Sequence, residues 1–154
     1  MRPLETVLIE HPFFRGLGSE SSELIAGCGR QVRFEKGDYL FRQGDAADTF
    51  YILRRGSVGL EMPGPRGNVM FDTEHPGDVL NPDWIVPPYR CSTDARALET
   101  CVAVALDGKC LRDKCEADHN LGYELMKRFV PVLVDKLVQA RFQTLDVYGT
   151  EKAR

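Results

Sequence analysis

The stretch from residue 80 to 93 brings together side chains that can grip a small molecule. It reads Leu80-Asn81-Pro82-Asp83-Trp84-Ile85-Val86-Pro87-Pro88-Tyr89-Arg90-Cys91-Ser92-Thr93. Trp84 and Tyr89 offer flat faces that could stack on a planar ligand, though such rings also serve to fill a hole. Arg90 beside Cys91 could draw that thiol toward thiolate and make it a redox sensor, whereas a buried cysteine stays inert. Elsewhere, Cys115 and His119 stand four residues apart, a helical spacing that can hold a metal. No third ligand follows them, and Cys110 falls off that face. His11, His75 and His119 are scattered. There is no Ser/His/Asp or Cys/His arrangement, no phosphate-cradling glycine loop and no Gly-x-Ser-x-Gly. This chemistry binds rather than catalyses, so no enzyme is expected and no metal site is assigned.

Three zones would position these residues. Residues 1–29 are helical in pattern: Leu4, Val7, Leu8 and Ile9 precede the breaker His11-Pro12, and Gly18-Ser19 offers an N-cap ahead of Leu24 and Ile25. Residues 30–106 alternate apolar and polar in short runs broken by turns. Val32 and Phe34 form one run, Val58, Leu60 and Met62 another, and Val102, Val104 and Leu106 a third, with Pro63-Gly64-Pro65-Arg66-Gly67 as the clearest turn. Strands recurring about every 8–12 residues predict an antiparallel sandwich or barrel. Residues 107–148 return to helical period, with helices over Lys109–Ala117 and Asn120–Phe129. Pro131 then fits the first turn of a last helix, or a kink. In that helix Val130, Leu133, Leu137, Ala140, Thr144 and Val147 form one stripe, and Val134, Val138, Phe142 and Leu145 a second beside it. The combined arc is wider than one packing face needs. One side would cover the sheet and the other a partner helix, with Lys136 and Arg141 left in water.

Composition sets the bounds. The 154 residues amount to about one domain, here 1–154. With 43% apolar and 28% charged residues the chain is too apolar to be disordered. Lys+Arg total 20 against 23 Asp+Glu, a net charge of −3, and no basic stripe is present. Direct binding to DNA, which relies on neutralised phosphates, is therefore not expected. The longest apolar runs, Cys101–Leu106 and Phe129–Val134, fall far short of the about 20 residues that span a membrane. Five cysteines, an odd number, and no charged-then-apolar leader point to free thiols in a reducing, cytoplasmic setting.

The order helices, short strands, then a long amphipathic helix comes with a glycine-spaced run. That run is Phe34-x-Lys36-Gly37-x-x-Leu40-Phe41-x-x-Gly44-Asp45-x-Ala47-Asp48-x-x-Tyr51-x-Leu53-x-x-Gly56-x-Val58. His11-Pro12-Phe13-Phe14-x-x-Leu17 and Pro76-Gly77-Asp78 accompany it. Together these resemble the cyclic-nucleotide-binding domain family, the sensor module of catabolite-activator-type (Crp/Fnr) regulators, of cyclic-AMP-dependent kinases and of some channels. The resemblance covers roughly residues 10–148. It implies a mainly β fold with flanking helices: a double-stranded β-helix, or jelly roll, with a long C-terminal helix. It also implies that each glycine marks a sharp turn. In the family, a cassette after the segment matching Gly77-Asp78 holds the ligand. A Gly-Glu pair opens it, the glutamate meeting the ribose hydroxyl, and a later arginine meets the cyclic phosphate.

This sequence departs from that cassette. The Gly-Glu position falls on Asn81-Pro82, and Asp83 is the nearest carboxylate. The arginine position falls on Cys91, with Arg90 one residue early. A variant cassette of stand-alone bacterial members is the better match. The candidate ligand residues are thus Leu80, Asn81, Asp83, Trp84, Tyr89, Arg90, Cys91, Ser92 and Thr93. The expectation is a non-enzymatic regulatory module whose pocket does not favour cyclic AMP or cyclic GMP. No cofactor is expected. A cyclic nucleotide or another small anion would be held by backbone N–H groups around Asp83–Trp84, by Arg90, and by Ser92 or Thr93. The alternative is a degenerate interaction or dimerisation module plugged by Trp84 and Tyr89. A cupin-type metal enzyme is a third reading, disfavoured because no His-x-His exists. A homodimer through helix 131–148 and a downstream protein partner are expected, since no DNA-reading domain follows Tyr148 in this sequence.

Overall fold

The computed structural model describes residues 4–152, with the side chains of Glu5 and of residues 147–152 outside that description. Helix α1 (Leu4–Glu10), a 3-10 turn (Pro12–Phe14) and α2 (Ser19–Ala26) open the chain. Gly18 caps α2 at the expected place. Eight strands follow: β1 (Gly29–Phe34), β2 (Tyr39–Phe41), β3 (Thr49–Arg55), β4 (Val58–Gly64), β5 (Gly67–Glu74), β6 (Val79–Leu80), β7 (Asp94–Ala97) and β8 (Cys101–Asp107). They pair antiparallel into two four-stranded sheets, ordered β1-β8-β3-β6 and β2-β7-β4-β5. This is the jelly-roll expectation. A second 3-10 turn (Pro82–Ile85) lies between β6 and β7, and helices α3 (Gly108–Ala117) and α4 (His119–Lys152) close the order.

The glycine run behaves as a set of turn devices. Gly37, Gly44, Gly56 and Gly77 all adopt positive φ. Gly56 shows the constraint most sharply: at φ +86° a Cβ would also come within 2.5 Å of the Thr100 carbonyl oxygen. Both facts exclude a side chain there.

Two apolar clusters hold the fold. One fills the barrel with Leu40, Phe41, Leu53, Val58, Leu60, Leu80 and Cys91. The other lies between the barrel and the helices and includes Leu8, Phe14, Phe50, Trp84, Leu121, Leu125 and Phe129.

Two expectations are corrected. The helices placed over Asn120–Phe129 and after Pro131 are a single 34-residue helix, with Pro131 inside it. Proline there removes one N–H donor, to the Lys127 carbonyl, and the turns on both sides carry the helix through. Nor are all five thiols free. Cys28 and Cys110 form a disulfide that ties the turn before β1 to α3. Cys91, Cys101 and Cys115 are free. The reading of a reducing compartment loses the support it drew from unpaired cysteines. Among the described residues no helix is long and apolar enough to cross a membrane.

Candidate functional site

Where β6 ends, Asn81 turns the chain with a left-handed φ of 69° and starts the 3-10 turn at Pro82. Its Nδ2 donates to the Thr49 carbonyl, 2.8 Å away, which fixes the turn to β3. The Asp83 carboxylate then accepts from both the Ser92 backbone N–H, at 3.2 Å, and the Ser92 hydroxyl, at 2.9 Å. These bonds close the cassette on itself. They also place a carboxylate where the anion reading needs donors.

A cavity of about 220 Å³ opens beside this turn, between the barrel and α4. Leu80, Asn81, Asp83, Ser92 and Thr93 form its cassette wall. Phe41, Leu60 and Phe71 supply an apolar floor, and Asp72 and Glu74 of β5 stand at one side. Helix α4 is the remaining wall, through Leu133, Lys136, Gln139, Ala140 and Gln143.

Four of the nine candidate residues are not part of this lining. Trp84 points into the helix-facing core, fully buried, stacked on Phe50 at 4.9 Å and edge-on to Phe129 at 5.5 Å. Tyr89 carries the Arg112 guanidinium over its ring at 4.2 Å. Neither ring stacks in the cavity or plugs it. Arg90 is exposed and its Nη1 reaches only toward the Gly44 carbonyl, at 3.4 Å. The backbone of Tyr89 to Cys91 is taken up by the segment before β3: Ala47 donates to Tyr89, Cys91 donates to Asp45, and Gly44 donates to Cys91. Cys91 is buried inside the barrel. Burial raises its thiol above the usual range, and Asp83, Asp45 and Asp48 push it further, against the opposing pull of Asn81. Of the two readings of Cys91, the buried thiol is the one this environment favours, and Arg90 does not draw it toward thiolate.

Two functional groups escaped the sequence reading. Arg112 of α3 donates to the Trp84 carbonyl, lies over the Tyr89 ring and stands 3.7 Å from Asp48, so one guanidinium ties the middle of the cassette to the segment before β3. Lys136, expected in water, instead binds Glu74 and lies 3.6 Å from Asp72. Burial pushes the Glu74 carboxyl up to about 7, only partly opposed by Lys136. Seven residues further along α4, the Gln143 amide donates to the Phe71 carbonyl at 2.9 Å. Helix α4 is thus latched onto β5 at two points that flank the cavity.

A sequence model described as the cyclic nucleotide-binding domain matches residues 31–118, more than half of the chain. The chain belongs to the cyclic nucleotide-binding domain family. It is 28% identical over 142 residues to a cAMP-dependent protein kinase regulatory subunit of Debaryomyces hansenii, covering 90% of this chain and 31% of that one. It therefore spans about a third of that relative's length. Among solved structures, a Geobacter metallireducens protein assigned to cyclic nucleotide binding is 26% identical with a TM-score of 0.79, covering 89% of this chain and 99% of that one. The regulatory domain of Toxoplasma gondii PKA, solved with cAMP, shares the fold at 20% identity and a TM-score of 0.68, covering 88% of this chain and 49% of that one. As a cyclic nucleotide-binding domain, this one has the family's antiparallel barrel with flanking helices. Its charged cavity wall, however, holds three carboxylates and one lysine already engaged with two of them.

Proposed function

We propose that this chain is a non-enzymatic regulatory module that senses a small molecule in the cavity under α4 and transmits the event through that helix. The observation that carries this reading is the seat of α4. One helix is both a wall of the cavity and the element latched to β5 by Lys136 and Gln143. Whatever enters the cavity acts on that helix directly. Beyond Phe129 the outer face of α4 exposes Val130, Val134, Leu137, Val138, Phe142 and Leu145. We assign this face to a second copy of the chain, since its spacing continues the two stripes that suit helix pairing. A protein partner downstream would read the change.

Hydrogen exchange on Lys136→Ala tests the coupling without any ligand. The latch lies between an exposed pair, about 0–1 kcal/mol, and a buried one, about 3–5 kcal/mol when one partner is removed. Amides from 132 to 146 should exchange roughly tenfold faster while those before Phe129 keep their rates. Unchanged exchange along α4 would remove the basis of the sensor reading. Cyclic AMP and cyclic GMP, titrated to millimolar concentration by calorimetry, should give no saturable heat, because their phosphate would meet no unengaged cation in the cavity. Tight binding of either would restore the family ligand.

A further inference from the structure

We propose that the cavity takes a small organic cation, an ammonium or amidinium on an apolar body, which displaces the Lys136 ammonium and frees α4. The inference rests on the sensor reading above and names its ligand class.

The site already holds an ammonium. The Lys136 Nζ, delivered by α4, sits on Glu74 and within 3.6 Å of Asp72. The helix thereby supplies its own pseudo-ligand. Exchange of one cation for another leaves no carboxylate uncompensated, so the desolvation that normally opposes breaking a buried pair is avoided. The remaining charge on the wall, Asp83, is also negative. The floor is apolar and partly aromatic, through Phe41 and Phe71. That surface receives a hydrocarbon body and attracts a cation to its ring faces. About 220 Å³ is below the roughly 300–1,000 Å³ common for small-molecule sites, so the ligand is compact. An anion fits none of this, since Arg90 lies outside the lining and three carboxylates lie within it.

The test uses the full chain and four probes: 2-phenylethylammonium and benzamidinium as cations, 2-phenylethanol as the neutral analogue, and benzoate as the anion. Calorimetry should show saturable binding of at least one cation, with the alcohol and benzoate at least tenfold weaker. Asp72→Asn and Glu74→Gln should each weaken the cation at least tenfold. Lys136→Ala should tighten it about tenfold, because the internal competitor is gone. Hydrogen exchange along α4 should speed up when the cation binds. Equal affinity for all probes, a preference for benzoate, or no cation binding to either the parent chain or Lys136→Ala would overturn the proposal. If no cation binds but Lys136→Ala still loosens α4, this ligand class fails and the sensor reading stands. If Lys136→Ala leaves α4 exchange unchanged, both fall together.

Discussion

Glu74 ends β5 almost wholly out of water, with Lys136 from α4 as its counter-ion. Its carboxyl is raised from an ordinary 4.5 to about 7, with burial as the largest cause. The folded chain therefore binds a proton there that the unfolded chain releases between those two values. Stability from this group is complete below about pH 4.5 and is lost as pH rises through about 7. The shift corresponds to about 3 kcal/mol as an upper figure. Urea midpoints should accordingly fall between pH 5 and pH 8 in the parent chain, and Glu74→Gln should flatten that slope. Parallel profiles for the two proteins would contradict the burial argument. At this scale the sequence was only partly readable. Leu80, Asn81 and Asp83 reach the cavity from the start of one loop, and Ser92 and Thr93 from its end, where Ser92 is bonded back to Asp83. Lys136 could not be placed there from the sequence, because its partners stand 62 and 64 positions away and a helical stripe does not say what lies beneath it. Trp84 was misplaced for a similar reason. Its direction is set by the left-handed Asn81 before it and by Phe50 and Phe129, which come from distant elements.

Among the elements, strands and turns were the most legible. Period-two alternation and the glycine spacing both reflect local backbone demands, and β1, β4 and β8 lie where that alternation put them. The disulfide was not legible. Cys28 and Cys110 are 82 residues apart in sequence, and only the packing of α3 beside the start of β1 brings them together. Closing so long a loop restricts the unfolded chain strongly, and native bridges of this kind typically contribute about 2–4 kcal/mol. Cys28→Ser should lower unfolding free energy by about that amount. A strong reductant should reproduce the loss in the parent chain and add nothing in the variant. Thiol titration of the denatured, unreduced protein should count the three cysteines Cys91, Cys101 and Cys115. Five titrating thiols would refute the bridge.

For the molecule as a whole, chain order carried the fold, whereas the cavity arises only when α4 lies down against β5. The outer face of that helix bears on assembly. Phe142 is 63% exposed and Leu137 51%, on a helix that buries Leu121, Leu125 and Phe129 at its other end. Burying such side chains is worth about 1.5–3 kcal/mol each. A symmetric pair formed along this face should sediment at twice the chain mass, and Leu137→Glu or Phe142→Glu should return it to the monomer. A parent chain that is monomeric at high micromolar concentration would leave the face to a different protein.

The distribution of burial along α4 also makes the helix a mechanical arm. Its root is clamped in the core as far as Phe129, and the next hydrogen bond is missing at Pro131. At about 1.5 Å of rise per residue, Lys136 lies roughly 10 Å beyond Phe129, the end of the clamped root, and Leu145 roughly 24 Å beyond it. A displacement of about 1 Å where the ammonium meets Glu74 thus becomes more than about 2 Å at the far end. A small, local exchange of partners is geared up into a movement large enough for another surface to feel.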